Sequence, residues 1–242
     1  MSSGFFTRTP DPFRAPHPRL NPRWIAAVHM GLERAFELIR ADGFDLANAG
    51  EDDVTYELEK IFENRLMREE STDFDLGFIR SVAREPAMAN HDETSIGRKP
   101  DLVFKLNREL SLSHNRVQDA LFTECKPVDR GHPLNKHYCA VGKRTSGIER
   151  FVCGAYASAM EQGLMIAYVK DGIQIVPDLA EALATPEAQS GLGEPSPLTC
   201  VIKGNEPACQ GLYLSTHQRP FPRKDGSQAT PIDLYHSWHG CN

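Results

Sequence analysis

Long apolar runs are missing from this chain: none approaches the roughly 18 residues that a membrane-spanning helix needs. The first 22 residues likewise lack the apolar centre of a signal peptide, which points to a cytoplasmic protein. Paired cysteines are absent too. The six cysteines (Cys125, Cys139, Cys153, Cys200, Cys209 and Cys241) contain no C-x-x-C pair and no regular framework, so reduced thiols are expected. An excess of positive charge is also lacking, since 27 Lys and Arg stand against 33 Asp and Glu for a net charge of −6. That balance excludes a surface coated in phosphate-binding groups, but it does not exclude a local basic groove. No internal repeat or low-complexity tract is found.

What remains is ordinary globular composition, with 40% hydrophobic and 25% charged residues over 242 positions. The length suits one elaborated domain. Its expected parts are a flexible arm over 1–22 carrying five prolines, a core over 23–177, and an extension over 178–242 packed on the same domain.

Between 23 and 42, Ile25, Val28, Leu32, Phe36 and Ile39 recur at helical spacing and Gly43 stops the run, which predicts an amphipathic helix. A second helix is expected from about residue 51. Taking about 100° per residue from Val54, Glu51 falls near 60°, beside the apolar face of Leu58, Ile61, Phe62 and Leu66. Glu57 falls near 300° and is the reserve acid. Glu51 reads either as a functional carboxylate turned inward or as a capping-box partner of Asn48. Asp52, Asp53, Glu59 and Glu63 read as a solvated face.

Strands are expected around "GFIRSVAREPA", "KPDLVF" and "LFTECKPVD". On the last of these, Glu124 and Lys126 share a face while Cys125 turns away, because side chains alternate along a strand. Asp101 emerges from the strand before it. A helix is expected over "SGIERFVCGAYASAMEQG", whose small residues would let it lie close on a sheet. A buried strand "LMIAYV" should then turn at Asp171-Gly172 into a further strand "IQIVPD". Beyond 178 the pattern gives a short helix "LAEALATPEAQ" and strands near "LTCVIKG", "GLYLSTHQRPF" and "TPIDLYHSW".

Acids on neighbouring strands beside a lysine are the groups that a hard divalent cation and an attacking water require. "RKPDLVF" and "FTECKPVD", with 22 residues between Asp101 and Glu124, resemble the signature of the PD-(D/E)XK nuclease superfamily. The resemblance covers about half the chain. It implies an α/β fold: a restriction-endonuclease-like mixed sheet flanked by helices, here with a β-rich C-terminal extension and an inserted loop at "NRELSLSHN". It further implies catalytic roles for Asp101, Glu124, Lys126 and Glu51. Asp101, Glu124 and the Cys125 backbone carbonyl would hold Mg²⁺, with Mn²⁺ as a substitute. The implied activity is metal-dependent hydrolysis of DNA phosphodiesters, in restriction or phage defence. A nuclease acting on RNA, or a non-catalytic nucleic-acid-binding or assembly module of the same fold, are the alternatives. A homodimer or a regulatory partner protein is consistent with the class.

Residues 126–150 carry six Lys and Arg against Asp129 and Glu149, a local +4 (6 − 2). Arg130, Lys136, Lys143, Arg144 and Arg150 are therefore expected to grip nucleic acid; the alternative is a solvated loop. Tyr156 follows on the same segment. His217 and Arg219 share a strand face, with His236 on the next strand, and read as phosphate contacts or as structural groups. His236, His239 and Cys241 in "HSWHGC" read as a weaker metal-ligating set.

Overall fold

The computed structural model of this protein describes residues 14–68, 73–142, 147–205, 208–223 and 226–241. Helix α1 (Pro22–Ala41) begins where Asn21 accepts a hydrogen bond from the Arg23 N–H, and it buries Ile25, Val28, Leu32, Phe36 and Ile39. Helix α2 (Glu51–Ile61) continues into a wider turn over Phe62–Leu66. Thr55 ties it to the sheet through the Tyr168 hydroxyl at 3.0 Å.

The strands are β1 (Ile79–Arg84), β2 (Met88–Ala89), β3 (Ile96–Arg98), β4 (Leu102–Leu106) and β5 (Ala120–Val128). Helix α3 (Glu149–Val152) and strand β6 (Gln162–Val169) follow. After them come α4 (Ala180–Ala184), α5 (Pro186–Gly191), β7 (Thr199–Lys203), β8 (Cys209–His217) and β9 (Ile232–Gly240). Seven strands form one mixed sheet in the order β1-β4-β5-β6-β9-β8-β7, while β2 and β3 make a small separate hairpin. The β5, β6 and β9 strands run parallel and the flanking pairs antiparallel. All eight residues of β6 are buried, as a central parallel strand requires. The protein is thus a mixed α/β fold whose helices flank a mixed sheet. Among the described residues no helix is long and apolar enough to cross a membrane.

The sheet has two differently used faces. Phe36 packs on Tyr168 and His239, so α1 and α2 cover the face of the odd-numbered β5 residues. The opposite face carries Glu124 and His236, which meet the 129–161 segment through Tyr156 and Tyr138.

Several expectations are corrected. The long helix over the 146–163 segment is only α3: Gly154 and Ala157 adopt left-handed φ of 71° and 56°, breaking it into turns that bury Tyr156 and Met160. The segment "IQIVPD" is not a strand. Asp171 and Gly172 do make the turn, but both edges of β6 are already taken by β5 and β9, so Ile175–Leu179 coils into a helical turn instead. The expected helix "LAEALATPEAQ" divides at Thr185, which caps α5 through its side chain, and Pro186. Residues 1–13 of the arm lie outside the described residues. Over 14–22 the arm is packed, with His17 and Leu20 buried and the Leu20 N–H donating to Gln162 at 2.6 Å. Glu59 and Glu63 are not a solvated face: they accept the backbone N–H groups of Arg84 and Val82, which blunts the β1 edge.

Candidate active site

Strand β4 begins at Leu102, paired with Thr123, whereas β5 runs on beside β6 as far as Val128. The outer edge of β5 is therefore unpaired from Glu124 onward, and its backbone groups need other partners. Asp101, the residue before β4, supplies one: its carboxylate accepts the Cys125 N–H at 2.6 Å. The divergence of the two strands opens a cleft of about 380 Å³, whose lining includes Glu51, Asp101, Lys126, Arg150 and Tyr156.

Lys126 Nζ stands at the centre of this arrangement. It lies 2.7 Å from Glu51 Oε1, 3.4 Å from Asp101 Oδ2, 3.1 Å from Glu124 Oε1 and 2.7 Å from the Cys125 carbonyl oxygen. Glu51 reaches it from the first turn of α2. No side chain caps that helix, and Asn48 bonds Asp45 instead, so the capping-box reading of Glu51 is not realised. Glu57 accepts from Lys60 and is not in the cleft lining.

Exposure grades through the site: the side chains of Glu51, Asp101, Lys126 and Glu124 are 30%, 16%, 9% and 0% accessible. Glu124 is the sealed floor. Its Oε1 also accepts the Gly147 N–H at 3.1 Å, and its Oε2 accepts from Arg150 at 3.1 Å and from the Tyr156 hydroxyl. Arg150 also donates to the Lys99 carbonyl at 3.1 Å.

Burial and the neighbouring Glu124 push the Asp101 carboxyl up to about 6, against the opposing pull of Lys126. Burial likewise raises Glu51, partly offset by Lys126. Burial works to lower the Lys126 ammonium, yet Glu124, Asp101 and Glu51 outweigh it and hold the charge more firmly than in water. Three carboxylates against Lys126 and Arg150 leave a net −1 (−3 + 2), so the site favours a cation.

Of the expected nucleic-acid contacts, only Arg150 lines the cleft. Arg130 and Lys136 are exposed and do not line it, while Lys143 and Arg144 lie outside the described residues. His217 and His236 are structural, as buried members of a chain through Ser215 that ends on Tyr138 and the Leu192 carbonyl. Arg219 is spent on the carbonyls of Thr230 and Ala157. His236, His239 and Cys241 do not converge. His236 faces Tyr138, His239 bonds Ser237 on the other face, and the Cys241 thiol donates to the His239 carbonyl. Sequence reasoning missed Gly147 as a donor to Glu124 and, by analogy with the superfamily, placed Tyr156 with Arg150 as an accessory phosphate contact, whereas its hydroxyl donates to Glu124; no spacing signal marks either partner of Glu124. No family model, curated protein or solved structure matches the chain.

Proposed function

We propose that this protein is a divalent-metal-dependent nuclease of the restriction-endonuclease-like class, hydrolysing DNA phosphodiester bonds in restriction or phage defence. The observation that carries the reading is the convergence of Glu51, Asp101, Glu124 and the Cys125 carbonyl on one point of an open cleft. These oxygens come from α2, the start of β4, and β5.

The donor set fits Mg²⁺ or Mn²⁺, because it is made wholly of hard oxygen ligands that now share a single ammonium. Asp101, the Cys125 carbonyl and Glu124 Oε1 would hold the ion in the place that the Lys126 ammonium now occupies between them, since Glu124 has no other lone pair free. When bound, it would polarise a phosphoryl oxygen and lower the pKa of a water. Lys126, kept protonated by its three acids, donates hydrogen bonds that aim a water at phosphorus and offset charge developing on the phosphoryl oxygens. Glu51, the most accessible acid, accepts a proton from that water. Arg150 at the rim faces the neighbouring phosphate.

The test is incubation with supercoiled plasmid, linear duplex, single-stranded DNA and RNA, each with Mg²⁺, Mn²⁺ or EDTA. Cation-dependent DNA cleavage is expected, falling by about 10²–10⁴-fold in Asp101→Ala and Lys126→Ala. Binding without cleavage under every condition would favour a non-catalytic module, and cleavage confined to RNA would move the substrate class.

A further inference from the structure

A second polar cluster lies on the opposite face of the sheet and plays no part in the proposed hydrolysis. His29 and Glu33 sit four residues apart on α1, hence on the same side of the helix. Both face Cys209 at the start of β8. The His29 Nε2 is 3.8 Å from Cys209 Sγ and 3.9 Å from Glu33 Oε1, and the three ligand atoms all lie within 4.8 Å of one another. The His29–Glu33 separation is too long for a hydrogen bond, while the Cys209 thiol is within hydrogen-bond reach of His29 and of Glu33 in the metal-free protein. A tetrahedral metal, with bonds of about 2.0 Å to nitrogen or oxygen and 2.3 Å to sulfur, sets ligands roughly 3.3–3.6 Å apart, so an ion would draw the 3.8 and 3.9 Å pairs together by a few tenths of an ångström.

The surroundings are those of a metal centre. Ser237 Oγ engages the other ring nitrogen of His29 at 2.7 Å, leaving Nε2 to face the cluster, and His239 holds Ser237 from behind at 2.8 Å. The Gly211 N–H donates to Cys209 Sγ at 3.4 Å, but burial and the Glu33 carboxylate outweigh it and push the thiol up to about 12, so the cysteine is protonated until an ion displaces its proton. Glu33 is 31% accessible and gives the path from solvent, while His29 is closed. A thiolate and a carboxylate together neutralise a divalent ion.

We propose that His29, Glu33 and Cys209 bind a borderline divalent transition ion of the zinc type, with a fourth position open to water. The nitrogen, oxygen and sulfur set selects against Mg²⁺ and distinguishes this centre from the all-oxygen cleft. Binding deprotonates the Cys209 thiol and releases that proton to solvent. It ties α1 to β8 across 180 residues of chain.

The test is Co²⁺ titration of the full chain in a Cys200→Ser background, which removes the exposed thiol. A thiolate-to-cobalt charge-transfer band should saturate at one equivalent and be displaced by Zn²⁺. Cys209→Ala should abolish the band. Glu33→Gln, at a half-exposed position that does not threaten the fold, and Ser237→Ala should each weaken binding by about 10–100-fold. Asp101→Ala should titrate like the parent, which separates this centre from the carboxylate cleft whether or not the nuclease reading holds. The absence of a saturating band in the parent, or a band that survives in Cys209→Ala, overturns the assignment.

Discussion

Glu124 accepts from four donors while closed to solvent, and a carboxylate has about four lone-pair positions to offer. Removing it takes the acceptor from the Gly147 N–H and the Tyr156 hydroxyl and one partner each from Lys126 and Arg150, around an empty space. Glu124→Ala should therefore cost about 3–5 kcal/mol in urea unfolding, against much less for Glu124→Gln, so activity lost in the alanine variant has to be read beside its folding. Asp101 behaves differently. Its folded pKa, about 6, lies above the ordinary carboxylate value, so its stabilising contribution is complete below about pH 3.8 and is lost as pH rises through 6. Asp101→Asn keeps an acceptor for the Cys125 N–H and should stabilise the metal-free protein at pH 7 by up to about 3 kcal/mol, with the gain shrinking toward pH 4. A divalent cation needs the ionised form. Mg²⁺ affinity, followed by calorimetry, should therefore fall about tenfold per pH unit below 6.

Among the elements, the turn before α3 is the most constrained part of the site. Gly147 has φ of 60°, its N–H donates to Glu124, and an added Cβ would lie 2.2 Å from the Tyr138 carbonyl oxygen. Gly147→Ala should cost about 3 kcal/mol or more by thermal melting and loosen Glu124 with it. This turn also marks where the sequence stops being readable. The strand that follows Asp101 and the strand carrying Glu124 and Lys126 were legible because apolar runs mark them, and α1 because its buried face repeats at 3.6. Glu51 was legible as an inward acid from the helical angle alone. The 146–163 segment misled, because small residues suit a close-packed helix and a tight series of left-handed turns equally well; the buried Tyr156 and Met160 decided between them. His29, Glu33 and Cys209 were invisible in a different way. The i, i+4 spacing of the first two is common, and the third lies far along the chain.

At the scale of the whole molecule, buried histidines govern behaviour in acid. Burial lowers His17 and His217 to about 4 and His236 to about 3. Their contribution is present above pH 6.5 and is lost as pH falls toward those values. Each loses about 2 kcal/mol by pH 5, roughly 6 in all, against the 1 or so that Asp101 regains. That is a large share of a typical domain's stability. Equilibrium unfolding should show a steep drop between pH 6.5 and 5, eased in His17→Gln. The sheet order carries one more consequence. Strand β9 sits between β6 and β8, so two inner strands stay unzipped until residues 232–240 emerge from the ribosome. A nascent polypeptide halted before that point exposes the unpaired edge of β6, a strand otherwise buried along its whole length, which invites capture by chaperones or clumping.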